Sequence, residues 1–422
     1  MNGSQMINTR TQAMLSSAAW IAAIVFALAH VAAGVAVAQC RAESKQPVTR
    51  VSLPGRAFHA IAPRDGCWVF VSMHPGPDST GAGVAVLKRN ENGAALMRTV
   101  PGPRVSGLAL THDDRILIAA AGDRLNFYDV GRLTSGASDP LLGVMQSEGQ
   151  APGYFHMLVT QNDRLLFVSN HDTEGITVLD LADARRSGFQ TFHILGNIPT
   201  GYGPVSIAIS SDQRWLYATT QIAHDDWHWP IACRGSTAPP TAPLTAPRGA
   251  VHVIDAGRAT VDPAHSVVAT VAAGCHPVRL VLSPKSDRAY VAARSDDMLL
   301  VFDTKKLVSD AANALVASIN THTSPVGLAV LDSGRKFAVA NALRFSGKPP
   351  SSDSEIVMVV DTSNVTRGQG AIIGSIPSGG GPVDLTLTPD GKTLIVPNYE
   401  PKTVTLLQVR HLTSRALRKN KT

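Results

Sequence analysis

A phrase of about fifty residues recurs seven times along this 422-residue chain. Its copies open at Arg56, Arg104, Gly153, Gly203, His276, Ser324 and Gly381, so neighbours lie 48, 49, 50, 73, 48 and 57 residues apart. Each copy reads as an alternating strand, a polar turn ending in a basic residue, a second strand and a third. The turns include Asp113-Asp114-Arg115, Asn162-Asp163-Arg164, Asp212-Gln213-Arg214 and Asp390-Gly391-Lys392. Asp, Asn and Gly tolerate the backbone that a tight hairpin needs. The third strands end at Asp129, Asp180, Asp255, Asp303 and Asp361. One aspartate per repeat at a strand end reads as a turn-former rather than a catalytic acid. A lone four-stranded sheet cannot bury both faces, whereas sheets stacked radially can. The repeat therefore predicts an all-β, seven-bladed β-propeller of four-stranded antiparallel blades.

The last copy, from Gly381 to Val409, is one strand short. Its strands are expected at Val383–Thr388, Thr393–Pro397 and Thr403–Val409. The segment Pro47–Pro54, ahead of the first copy, has strand composition and can supply the missing outer strand. The ring would then close over residues 47–409 and remove an open sheet edge. A composition of 44% hydrophobic and 17% charged residues, with 35 Gly and 27 Pro, suits such a turn-rich globular fold.

The ends carry a different message. No acid precedes Glu43, Arg10 is basic, and Ala18 to Ala38 is apolar apart from His30, closing on Ala36-Val37-Ala38. Residues 1–38 read as a signal peptide, with an uncleaved membrane anchor or lipidation at Cys40 as alternatives, and 39–46 as a linker. Each places the protein in the periplasm or outside the cell, with membrane contact only through this segment. Residues 410–422 hold Arg410, Arg415, Arg418, Lys419 and Lys421 and no acid, which reads as a basic disordered tail. No aromatic residue interleaves the tail, so the net charge of +6 does not point to nucleic acid.

Two copies are expanded after their second strands, by Ala223–Gly249 and Leu343–Glu355. In a propeller both insertions fall on the face of the blade-to-blade crossings, the top. That topology predicts the disulfides Cys233–Cys275 on the top and Cys40–Cys67 on the opposite face. No Cys-x-x-Cys occurs, which argues against a thioredoxin-type site, a zinc knuckle and covalent haem.

The fourth residue of each copy opens the innermost strand beside the central channel. In order these are His59, Gly107, His156, Ser206, Arg279, Gly327 and Asp384, with His276, His171, His74, Asn170, Arg294, Asn341, Asn398 and Glu400 nearby. A wet channel mouth carries polar residues without any task, but this set also suits an anionic ligand. His59, Arg279, Asp384, His276 and His171 are the candidate ligand-binding residues. His59, His156 and His276 with Asp384 have the chemistry of a zinc or copper site, yet no local spacing makes them converge, so no cofactor is predicted and a divalent metal is only an alternative. The run His224-Asp225-Asp226-Trp227-His228-Trp229 reads either as an aromatic plug or as a metal or sugar site. The nucleophile elbow and the P-loop are both missing.

The residues Leu216-Tyr217-Ala218-Thr219-Thr220 and Ala289-Tyr290-Val291-Ala292-Ala293, the openings Gly203-Pro204 and Gly381-Pro382, and Pro389-Asp390-Gly391 resemble the YVTN/lactonase-like group of seven-bladed propellers, over roughly Val48 to Val409. The resemblance implies the fold and, in enzymatic members, a His opening blade three, an Arg and a Glu on blade four, and an Arg after the second strand of blade five. His156 matches the first and Arg294 the last, which makes them the candidate catalytic pair. Blade four departs, with Val205-Ser206 after Gly203-Pro204 and Gln221 at the acid position. A Gln cannot act as a base. The expected function is therefore an exported monomeric propeller whose top-face pocket binds a small anionic ligand or a protein partner. The alternatives are a lactone hydrolase or isomerase using His156 and Arg294, and a metal- or quinone-associated redox propeller.

Overall fold

The computed structural model describes residues 44–235, 238–239, 241–342 and 356–412. Seven blades succeed one another, each an antiparallel sheet of four strands. Blade five shows the pattern: Pro277–Leu282, Arg288–Ala293, Met298–Asp303 and Leu315–Asn320 pair in that order from the channel outward. Second strands such as Ile116–Ala120 and Lys336–Asn341 are buried almost throughout. A strand covered on both faces needs apolar residues at consecutive positions, which is why these read as short unbroken hydrophobic runs.

The core lies between the blades. Seven hydrophobic clusters occupy the seven seams. At the seam between blades two and three, Ile118 and Phe127 meet Leu166 and Val168. At the seam of blades seven and one, Ile395, Val404 and Leu406 meet Val69, Val71 and Met73, with Val51 and Leu53 of the N-terminal segment joining them. Val48–Ser52 pairs antiparallel with the third strand of blade seven, Val51 opposite Val404. The ring is thus closed by an N-terminal strand.

Three boundaries differ from the sequence reading. The first strand of blade seven is only Thr386–Leu387, and the segment before Asp384 pairs through an isolated bridge between Pro382 and Asn398. Ile194–Ile209 is one continuous strand that serves as the outer strand of blade three and the inner strand of blade four, so Gly203 lies inside a strand. The fold also runs past Val409: Arg410 donates to the Ser44 carbonyl at 2.9 Å and Leu412 is buried, which takes Arg410 out of the expected tail. The segments 1–43, with the expected signal and Cys40, and 343–355 and 413–422 lie outside the described residues. Among the described residues no helix is long and apolar enough to cross a membrane.

The repeated polar residues do structural work. Asp129, Asp180, Asp303 and Asp361 cap short helices by accepting from the backbone N–H groups of Arg132, Asp183, Lys306 and Ser363. Asp255 accepts from Arg258 N in the same way. In the turns between first and second strands, Asp114, Asp163, Gln213 and Ser286 all adopt φ of 54–59°. That conformation aims each side chain at a backbone N–H of the previous blade's turn: Arg64, His112, Gln161 and Ser211, respectively. These contacts stitch one face of the ring, here called the turn face. On the top, Cys233 and Cys275 are joined in a disulfide, as the topology predicts.

Candidate functional site

The innermost strands are irregular where the fourth residues sit. The ladder between first and second strands shifts register between Ala57 and Ala60, Tyr154 and Met157, Pro204 and Ile207, and Pro277 and Leu280. Such a bulge frees one peptide from the ladder and re-aims its side chain. The freed N–H groups of His59, His156 and Ser206 are satisfied by the hydroxyls of Ser72, Ser169 and Thr219 on the second strands. Those hydroxyls also donate to the carbonyls of Ser106, Val205 and Val278 on the next blade. The bulges turn His59, His156 and Arg279 into the channel, and the hydroxyl lock holds the two histidines. On the blades between, Gly107 and Gly327 make room. A Cβ on Gly107 would lie 1.9 Å from the Phe155 carbonyl oxygen, and one on Gly327 would lie 2.8 Å from Asp384 Cα.

Four of the candidate residues meet there. Arg279 Nη2 lies 2.8 Å from Asp384 Oδ1, and His59 Nε2 lies 3.2 Å from Asp384 Oδ2. The rings of His59 and His156 are 6.1 Å apart. Each imidazole is held alike: His59 Nδ1 accepts from Leu108 N at 3.1 Å, and His156 Nδ1 accepts from Ile207 N at 3.3 Å. A backbone N–H can only donate, so each neutral imidazole carries its proton on Nε2. Burial lowers the His59 pKa, opposed by the Asp384 charge and reinforced by Arg279. Burial, then Arg279 and His59, pushes His156 well below its ordinary value. Both imidazoles are thus neutral at neutral pH, beside the Arg279–Asp384 pair.

Its hydrogen bonding is incomplete. Arg279 Nε is buried without a partner among the described residues, and Asp384 Oδ2 is close to His59 Nε2 but off the line of a hydrogen bond. The donors Arg279 Nε, His59 Nε2 and His156 Nε2 thus share one carboxylate, and Arg279 Nε is left without a partner among the described residues. The residues line a cavity of about 470 Å³. Its walls continue along the inner strands through Leu158, Ile209, Val281 and Leu282 to Ser211, Ser283 and Ser286 in the turns. The cavity therefore opens on the turn face, and not on the top where the sequence reading put it.

An aromatic layer explains the reversal. Phe58 and Phe155, each one residue before its histidine, meet edge to face at 5.4 Å, bringing blades one and three together over the cluster. Phe58 stacks on His74 at 4.2 Å and Phe155 on His171 at 5.1 Å. Tyr399 lies against Phe58 and hydrogen-bonds His74 Nδ1 at 3.2 Å. The sequence reading missed Phe58, Phe155 and Tyr399. The signal available was that Phe, or Val on blades four to seven, occupies the third position of six of the seven copies.

The other candidates lie above this layer. Arg294 Nη2 donates to Gln221 Oε1 at 3.0 Å, Gln221 Nε2 donates to His171 Nε2 at 2.9 Å, and His171 Nδ1 donates to Asp172 Oδ1 at 2.8 Å. Arg offers only donors, so Gln221 is held with its oxygen toward Arg294 and bridges blades three and five. His276 bonds Ser295 Oγ at 2.9 Å, and burial next to Arg294 lowers its pKa to about 4. His156 and Arg294, expected as a catalytic pair, thus belong to different layers, and Arg294 does not line the cavity. His276 likewise does not join His59 and His156, because His276 opens its copy three residues before Arg279 and sits a layer higher. Among the described residues no three His, Cys, Asp or Glu side chains are placed to hold a metal ion.

The insertion packs as an aromatic cap. Tyr202 stacks on His224 at 5.4 Å and donates to Asp225 at 3.2 Å. Trp227 lies against Trp229 and against the buried His252. Ile231–Cys233 and Ala246–Pro247 form a two-stranded ribbon beside it.

These features define a seven-bladed propeller with a polar channel cluster, and similar folds are known. Hydrazine synthase of Kuenenia stuttgartiensis is 18% identical, with 85% of this chain and 97% of that chain covered and a TM-score of 0.59. The Cps50 (Swd1) β-propeller domain of Myceliophteria thermophila is 10% identical over 85% and 98%, with a TM-score of 0.58. A chain of the mitotic checkpoint complex is 12% identical over 88% and 96%, with a TM-score of 0.61. At such identities the likeness establishes the propeller fold alone. No family model and no curated protein matches the chain.

Proposed function

We propose that the protein is an exported binding propeller whose channel cavity holds a small oxyanion between Arg279, His59 and His156, without catalysis. One observation carries this reading: at one end of the cavity, three donors face one carboxylate, and a buried guanidinium nitrogen has no partner among the described residues. Burying such a donor unsatisfied costs about 1–3 kcal/mol, so a site built this way favours a ligand that brings acceptors. Arg279 supplies the charge, and the two Nε2–H groups supply direction. The disulfide Cys233–Cys275 fits an oxidising compartment. A lactonase reading has less support, since His156 and Arg294 lie on opposite sides of the aromatic layer and Gln221 is committed to a structural bridge.

Calorimetric titration with acetate, butyrate and sulfate tests the proposal. Binding of at least one anion is expected, weakened tenfold or more in Arg279→Gln. Equal affinity in the variant, or no anion bound by a folded wild type, would reject it. Turnover of a lactone panel that is lost in His156→Ala would restore the enzymatic reading.

A further inference from the structure

The cavity is amphipathic along its length, and that narrows the ligand. Its charged groups and imidazoles are confined to one end, at Arg279, Asp384, His59 and His156. Between that end and the turn face the side chains are Leu158, Ile207, Ile209, Val281, Leu282 and Leu328, with no charged residue among them. Several of these, including Leu158, Ile209, Val281 and Leu282, are only half-buried, so their remaining surface faces the cavity. Polar groups return only at the rim, as the hydroxyls of Ser211, Ser283 and Ser286. A fully hydrated ion would leave this apolar stretch against water. Leaving apolar surface wet is unfavourable in proportion to its area.

Building on the oxyanion reading, we infer that the ligand is an amphipathic monocarboxylate. It enters from the turn face with its carboxylate against Arg279 and His156 and its apolar chain along Leu158, Ile209, Val281 and Leu282. The direction of entry follows from the lining, which runs from the cluster to the turn-face serines, while Phe58 and Phe155 meet on the other side of the cluster. The carboxylate cannot sit where Asp384 already holds Arg279 Nη2, so it takes Arg279 Nε and the Nε2–H groups of the imidazoles. The charged and titratable groups around His156 are Arg279, His59 and Asp384. A second carboxylate among them favours protonation of an imidazole, so the acid binds together with a proton. From Arg279 to Ser283 the strand advances four residues, about 13 Å. The gain from a longer chain ends where the tail passes the serine rim.

The test is a titration of the full exported chain with the linear series from acetate to decanoate, at pH 7.5 and pH 5.5. The 1-alkanols of equal length serve as controls. Affinity is expected to rise about fourfold per added methylene until the rim is reached. It should be higher at pH 5.5 in a buffer-corrected measurement of proton uptake. The alkanols should bind at least tenfold more weakly. Arg279→Gln should weaken every acid by a similar factor, whereas Ile209→Trp and Leu282→Asn should weaken long acids and spare acetate. A flat response to chain length with binding retained would overturn this inference and leave the oxyanion reading standing. If no acid binds a folded wild type, both fall. If alkanols bind as well as acids, the assignment of Arg279 is wrong and both fall. A thermal melt of each variant separates loss of the site from loss of the fold.

Discussion

His252 and His276 show what burial does to a single residue here. His252 is held between Thr220 and Thr270 hydroxyls, fully buried, and burial lowers its pKa to about 4. His276 reaches about 4 for the same reason, reinforced by Arg294. In the unfolded chain both return to the ordinary value near 6.5. The unfolded state then binds more protons between those values, so stability is full above pH 6.5 and falls as the pH drops toward 4. Each group is expected to remove about 2 kcal/mol between pH 7.5 and pH 5. Urea unfolding at the two pH values measures this, and His252→Gln should flatten the dependence by about one group's share, whatever its effect at pH 7.5. An unchanged slope in that variant would show that His252 is not titrating on unfolding. Gly107 makes a second point at this scale. Its missing Cβ lets blade three approach, so Gly107→Ala should cost about 1–3 kcal/mol by overpacking against backbone that cannot move aside. A melting curve checks it, and Gly102→Ala, also at ordinary φ and with only Gly83 Cα at 3.9 Å from the added Cβ, is the control that isolates packing from the loss of glycine itself.

At the scale of elements, the closing strand Val48–Ser52 is where the ring is most exposed to change. Val51 faces the seam cluster that joins blades seven and one. Val51→Asp buries a charge that nothing in that cluster pairs, and a loss of about 3 kcal/mol or more is expected. The outward-facing Arg50→Asp should cost far less. Equal losses from the two would mean that the strand is held by its ladder alone. The inner strands are largely legible in the amino-acid sequence. Because repeats align, residues at the same position of each copy lie at the same height, which is what groups His59, His156, Arg279 and Asp384. Alignment does not supply the direction in which the cavity opens. That depends on Phe58 and Phe155 meeting across the channel, a contact between copies about one hundred residues apart in a fold of this period. Nor does it separate Arg294, Gln221 and His171 from His156, since one residue of strand carries a side chain from one layer to the next.

For the whole molecule, the disulfide ties the large insertion to the crossing before blade five. Its ends are 42 residues apart, so a chain-entropy estimate gives roughly 4 kcal/mol for the cross-link. The seams around the ring do not depend on it. Reduction, or Cys233→Ser with Cys275→Ser, is therefore expected to loosen the insertion, raise proteolysis within residues 223–249, and lower the melting temperature by several degrees without abolishing folding. Limited proteolysis of the oxidised and reduced protein distinguishes this from global unfolding. A loss of all sheet signal on reduction would mean that the ring needs the cross-link.

The number of blades, the source of the closing strand, the non-catalytic, turn-forming character of the strand-end aspartates and the pairing of Cys233 with Cys275 are all readable in the amino-acid sequence. All of these follow from local turn chemistry repeated in register, and from the requirement that every sheet face be covered. Which face the cavity opens toward, which of the polar residues share it, and that the stretch between its polar ends is apolar emerge only from the folded ring. Those properties arise from side chains of different blades meeting around a common axis, and no single copy of the repeat contains both partners of such a contact.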